Sequence, residues 1–149
     1  MSLQQEVMTA MKAAMKAKNQ TALTALRAVK SAILLAQTEN GASQGLSEDQ
    51  ELKLLQKLVK QRKDSATIYE QQDRKDLAEP ELEEAKVIEQ FLPEALSEEE
   101  IEKIVVLAIE KVGASGMKDM GQVMGIVSKE LTGRADGKTI STIVKSKLV

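Results

Sequence analysis

Residues 131–141 read "LTGRADGKTIS", and the reading of this stretch decides between two folds. Gly-Lys-Thr after a nearby glycine has the look of the phosphate loop G-x-x-x-x-G-K-S/T, which joins a strand to a helix in α/β nucleotide-binding proteins. The spacing excludes that loop. It requires four residues between its first glycine and the Gly-Lys pair, whereas only Arg134, Ala135 and Asp136 stand between Gly133 and Gly137. Thr132 occupies the place of the first glycine, Asp136 would put a carboxylate into an anion cradle, and the apolar residues upstream have helical spacing. A helix stop, a turn and a new helix account for every residue instead. Gly133 adopts the left-handed conformation at a helix end, Asp136 caps the next helix, and Gly137 and Lys138 fill its first turn. Lys138 sits there against the helix dipole, which points to an external anion.

Outward from this point the chain continues as helices. Met120, Val123, Met124, Val127 and Leu131 form the apolar side of the preceding helix, with Asp119 expected as its N-cap. Ile140, Ile143, Val144 and Leu148 do the same for the last helix. Gly121 and Gly125 form G-x-x-x-G, which in a soluble chain implies close packing of one helix on another. Further upstream, "FLPEALSEEE" at 91–100 marks a boundary. Pro93 disfavours helix at Leu92, Ser97 with Glu100 has the form of a capping box, and Glu98, Glu99 and Glu100 complement the dipole of a helix start. That helix runs through Ile101, Ile104, Val105, Ala108 and Ile109 to Gly113.

The N-terminal part reads the same way. Met8, Met11 and Met15 recur at helical spacing and are expected in the core. Asn19 or Thr21 caps a second, central helix with Leu23, Leu26, Val29, Ile33 and Leu34 on its apolar stripe. "NGASQG", 40–45, is a loop. Ser47 and Gln50 open a long helix with Leu52, Leu55, Leu58, Val59, Ala66 and Tyr69 inward, as far as about Gln71. "DRKD", 73–76, is a turn, followed by a helix from about Leu77 to Phe91 with Pro80 near its start. The expected fold is all-α: an N-terminal helical hairpin or bundle over 1–92, a linker at about 93–96, and a small C-terminal three-helix domain over 97–149.

Composition excludes several chemistries. The chain has no His and no Cys, which removes the usual zinc ligands, the Ser-His and Cys-His nucleophile pairs and disulfides. Tyr69 and Phe91 are the only aromatics, too few for a base-stacking platform. The longest apolar run, Ile104–Ile109, falls far short of the roughly 20 residues that cross a bilayer, and "MSLQQEVMTAMK" lacks the form of a secretion signal. The composition still allows a Lys–Ser pair or carboxylates on a metal, but no catalytic residue, metal, membrane contact or small-molecule cofactor is assigned, and a cytoplasmic location is expected. The net charge of −2 is uneven. Residues 1–37 carry five Lys/Arg against one Glu, and 113–149 carry six against three acids, while the middle is acidic. Mildly basic ends can meet a polyanion. "KQRKDS", 60–65, adds Lys60, Arg62 and Lys63 to Lys53 and Lys57 on the long helix, and Lys53, Lys57 and Lys60 lie on one face, one turn apart. Arg62 falls near the apolar stripe, where it either pairs with an acid across helices or binds an anion.

Taken together, "KQRKDS" at 60–65, "FLPEALSEEE" at 91–100, "DMGQVMG" at 119–125, "GRADGK" at 133–138 and the start "MSLQQEVMTAMKAAMKAKN" resemble the YqeY family over essentially the whole chain. That family is related to the tail of the GatB subunit of the glutamine-dependent aminoacyl-tRNA amidotransferase. The resemblance implies an all-helical protein in two parts and a non-catalytic, tRNA-associated binding module. Lys118, Arg134, Lys138 and Lys145 would contact phosphates, with Lys60, Arg62 and Lys63 as a second patch. Two other roles stand beside this one, the first favoured by the acidic middle and a pI near 5.4. One is a protein–protein adaptor docking on a translation or amidotransferase component. The other is an accessory to a carbon–nitrogen ligase that uses glutamine as amido donor.

Overall fold

The computed structural model describes residues 2–39 and 45–149. Among these residues the chain is all-α, without a strand. The helices are α1 (Leu3–Ala17), α2 (Gln20–Glu39), α3 (Glu48–Gln71), α4 (Lys75–Glu89), α5 (Glu98–Val112), α6 (Met120–Glu130) and α7 (Gly137–Leu148), with a short 3-10 turn at Met117–Asp119. They gather into two compact units, Met1–Leu92 and Pro93–Val149.

In the first unit, α1 begins with a capping box: the Gln5 N–H donates to Ser2 Oγ at 3.2 Å and the Ser2 N–H to Gln5 Oε1 at 2.9 Å. It ends on Lys18, which takes the left-handed conformation at φ 55°. Asn19, not Thr21, then caps α2, since its side chain accepts from the Ala22 N–H at 3.1 Å. Helix α2 is central and packs against α1, α3 and α4. Its Leu23, Leu26, Val29 and Ile33 are buried, each such side chain contributing about 1.5–3 kcal/mol. Leu34 departs from the expected stripe and is 50% exposed, because it lies a further 100° round the helix from Ile33. The methionine stripe departs too. The buried positions of α1 are Leu3, Val7 and Ala14, while Met8 and Met15 are 40% and 52% exposed and Met11 is half-buried.

The expected loop at 40–45 lies, apart from Gly45, outside the described residues. Helix α3 opens with the predicted Ser47–Gln50 capping box and buries Leu55, Val59 and Ala66, with Leu52, Leu58 and Tyr69 half-buried. After a turn with Asp73 at φ 62°, α4 starts at Lys75, earlier than expected. Pro80 therefore stands inside the helix, and its missing N–H leaves the Asp76 carbonyl without a helical donor.

In the second unit, Ser97 caps α5 by accepting from the Glu100 N–H at 3.2 Å. The box is only half made: the Glu100 carboxylate accepts from the Ser97 hydroxyl at 3.1 Å rather than from its N–H. Gly113 ends α5 at φ 67°. Asp119 does not cap α6; its carboxylate accepts from the Ser115 N–H at 3.0 Å and closes the preceding turn. Helix α6 stops at Glu130, and Gly133, left-handed at φ 82°, shapes the turn beyond it. Asp136 caps α7 as expected, accepting from the Thr139 N–H at 2.6 Å. Ile101, Val105, Val123, Val127, Leu131, Ile140, Val144 and Leu148 form one core.

Leu96 donates its N–H to the Arg134 carbonyl at 3.0 Å, which ties residues 93–96 to the 131–136 turn. Gly121 and Gly125 do not pack against a helix: both are exposed, and a methyl group at either would meet no atom within 4 Å. The G-x-x-x-G spacing here marks a bare surface rather than a close helix crossing.

Candidate functional site

The cations that the sequence singles out in the second unit stand on α7 and on two turns. Lys138 stands in the first turn of α7 and Lys145 seven residues on, hence on the same face and about 10 Å further along the axis. Arg134 projects from the turn just before α7. Its backbone is held on both sides, by Arg134 N–H to Leu131 O at 2.9 Å and by Leu96 N–H to Arg134 O. Its Nε donates to Glu94 O at 3.4 Å. Lys118 lies in the 3-10 turn at the other end of α6, a helix about 16 Å long, so it belongs to a different edge of the unit.

Lys118, Arg134, Lys138 and Lys145 are all exposed, and none makes an ion pair among the described residues. Lys129, exposed near the end of α6 and equally unpaired, joins them. No motif marks it; only the basic balance of 113–149 does. Helix α7 has no acid in its first turn, so Lys138 meets the positive end of the dipole uncompensated save for the capping Asp136. Lys147 differs, since its Nζ reaches Glu102 Oε1 at 2.5 Å.

The α3 cations are arranged otherwise. Lys60 pairs with Asp64 at 2.6 Å, one turn on, and Lys63 with Glu89 at 2.7 Å across to α4. Arg62 is the half-buried one. Its Nη1 donates to the Leu58 carbonyl at 3.1 Å, and its Nε lies 3.9 Å from Glu84 Oε1, buried without a hydrogen-bond partner. Of the two expected readings of Arg62, an acid across helices is the one seen. The pair is loose, and burial pushes the Glu84 carboxyl above its ordinary 4.5 despite the opposing pull of Arg62. Burial, with Glu48 and Glu6 nearby, raises Glu51 in the same direction.

Among the described residues no cluster of three or more Asp or Glu could hold a metal ion, and no helix is long and apolar enough to cross a membrane. What the second unit offers chemically is a set of exposed donors for anionic oxygens on a rigid frame.

The family model described as Yqey-like protein matches residues 4–148. The chain belongs to the YqeY family. This YqeY-family chain is 46% identical over 79 residues to a subunit of the glutamyl-tRNA(Gln) amidotransferase of Thermococcus gammatolerans, an alignment covering 50% of this chain and 13% of that subunit. It is 41% identical over 97 residues to the mitochondrial protein "altered inheritance of mitochondria protein 41" of Clavispora lusitaniae, covering 63% of this chain and 55% of the relative. The protein of that name from Pyrenophora tritici-repentis is 31% identical over 128 residues, covering 84% of this chain and 68% of the relative. The chain thus spans a small part of the amidotransferase subunit and somewhat over half of the Clavispora protein. It is a module related to an amidotransferase subunit, as the resemblance in its motifs implies.

Proposed function

We propose that this chain is a tRNA-associated binding module that performs no covalent chemistry itself. The observation that carries the reading is the 46% identity to a subunit named for glutamyl-tRNA(Gln). The unpaired cations of the second unit support it, because exposed Lys and Arg without carboxylate partners retain their full attraction for phosphate. Arg134, Lys138 and Lys145 would hold the backbone of a folded RNA through its shape, with Lys118 and Lys129 at a second edge. Lys60, Arg62 and Lys63 contribute less, since each is already near a carboxylate. With no His, no Cys and two aromatics in the chain, stacking and nucleophilic catalysis have no obvious means. The protein partner of such a module is an amidotransferase or another translation component, and its place is the cytoplasm. The mitochondrial names of two relatives make an organellar location the result that would revise this last point.

Retardation of a tRNA transcript by micromolar protein at low salt is the expected result, weakening steeply as salt rises. Absence of retardation under those conditions overturns the reading.

A further inference from the structure

In the methionine stripe of α1, Met8 and Met15 are left open by the core while Met11 packs against its edge, and the RNA reading uses none of them. Met8, with Gln4 and Val7, forms one wall of a groove whose other wall is Lys30, Ile33 and Leu34 of α2. Val7 and Ile33 are buried at its floor, while Met8 and Leu34 stand open at its rim. Gln4 and Gln37 close one end with a 3.4 Å hydrogen bond. Met11 and Met15 continue the α1 wall at helical spacing, and Arg27 continues the α2 wall one turn before Lys30. At about 210 Å³ the groove is smaller than the roughly 300–1,000 Å³ of small-molecule sites, and suits one or two apolar side chains. Methionine walls adapt to such side chains because the thioether is unbranched and polarizable.

Charge identifies what carries those side chains. From Val7 to Thr38 the chain has five Lys/Arg and no Asp or Glu, in a protein with more acids than bases. None of Lys12, Lys16, Lys18, Arg27 and Lys30 makes an ion pair among the described residues. The acid of α1, Glu6, lies close enough to Glu51 of α3 to raise that group, and stands half a turn round the helix from the groove side. An apolar slot between two helices, with Lys30 on its wall and no acid from Val7 to Thr38, fits a third helix with an apolar stripe and acidic flanks. RNA would use the cations and leave Met8 and Leu34 in water.

We propose that the α1–α2 groove is a docking site for an acidic amphipathic helix of a partner protein, seated on Met8, Met11 and Leu34 and flanked by Arg27 and Lys30. This rests on the first unit alone and uses none of the residues assigned to RNA.

The test uses the full chain with labelled methionine methyl groups and a synthetic peptide of about five helical turns. The peptide carries Leu at i, i+3, i+4 and i+7 and Glu on the flanks, and controls are a scrambled peptide of the same composition, a tRNA transcript and anionic vesicles. The acidic helix is expected to shift the methyls of Met8, Met11 and Met15 and to leave those of Met117, Met120 and Met124 in place. Leu34→Asp and, separately, Arg27→Glu with Lys30→Glu are expected to weaken it about tenfold or more. All three residues are exposed, so neither variant threatens the fold. Arg134→Ala with Lys138→Ala should leave peptide binding unchanged while lowering tRNA retardation, so each reading can fail without the other. No shift on α1, equal shifts from the scrambled peptide, or shifts produced by tRNA or vesicles in place of the peptide overturn the proposal.

Discussion

Helix α3 and the second unit hold their positive charge in different ways. Along α3, Lys60 and Lys63 meet carboxylates at 2.6 and 2.7 Å, and Arg62 lies half-buried toward Glu84. In the second unit Lys118, Lys129, Arg134, Lys138 and Lys145 stand exposed and unpaired among the described residues. The same residue types thus meet carboxylates along α3 and stand without them at these positions of the second unit. A cluster of cations in sequence says nothing of this by itself. What decides is whether an acid lies one turn on, as Asp64 does, or on a facing helix, as Glu89 and Glu84 do.

The largest effect expected from breaking this contrast is on folding itself. Ile140 is a buried residue of the second core, and Ile140→Ala should destabilise it by about 2–5 kcal/mol. Tyr69 lies in the first unit, so its fluorescence is expected to melt at an unchanged temperature while part of the helical signal melts earlier. Such a split would establish the units as independently folding domains; a common shift would join them. Next comes Arg62. Removing it leaves Glu84 near no cation in a partly dry place, so Arg62→Ala should cost about 1–3 kcal/mol by denaturant titration. Replacing both by leucine should restore most of that loss, because the pair is long and its Nε is unsatisfied. The binding comparison follows. Arg134→Ala with Lys138→Ala should weaken tRNA binding about tenfold and reduce the salt slope by about one for each phosphate partner removed, whereas Lys60→Ala with Lys63→Ala should change little.

Smaller effects test finer points. Gly121→Ala and Gly125→Ala meet open space on an exposed helix face, so each should stabilise the second unit by about 0.5–1 kcal/mol. A simultaneous loss of tRNA affinity would show that something approaches the backbone there. The smallest is pH dependence. Glu51 and Glu84 have folded values above their ordinary 4.5, so the folded chain binds more protons than the unfolded one just above that value. Their contribution to stability is full below 4.5 and is lost as pH rises through the folded values. Glu51→Gln and Glu84→Gln should each flatten that slope in urea midpoints measured between neutrality and the ordinary carboxylate range.

Helix content and most caps are legible in the sequence because they depend on neighbours three and four residues apart. Ser47–Gln50, Gly113 and Asp136 behave as their local chemistry dictates. The departures come where a third element decides. The Met8–Met11–Met15 spacing shows one face of a helix but not whether another helix covers it, and α2 covers only its edge. Gly121 and Gly125 depart for the same reason. Asp119 does so because Ser115 competes for its carboxylate, a choice that the 3-10 turn makes. The paired and unpaired cations cannot be told apart in the sequence beyond the Lys60–Asp64 spacing, since Glu89 and Glu84 reach α3 only through the fold.

The bond from Leu96 N–H to the Arg134 carbonyl sets where this protein can be cut. A fragment beginning at Ser97 would keep α5, α6 and α7 with Lys118, Lys129, Arg134, Lys138 and Lys145, yet lose the clasp formed by Glu94 and Leu96. Arg134 would then keep its bond to Leu131 but lose those to Glu94 and Leu96, and under the proposed RNA reading its ordering against a phosphate would carry an added entropic penalty. A fragment beginning at Pro93 keeps the clasp. Shortening the chain by the four residues 93–96 would therefore loosen the hold on Arg134 while leaving its side chain in place.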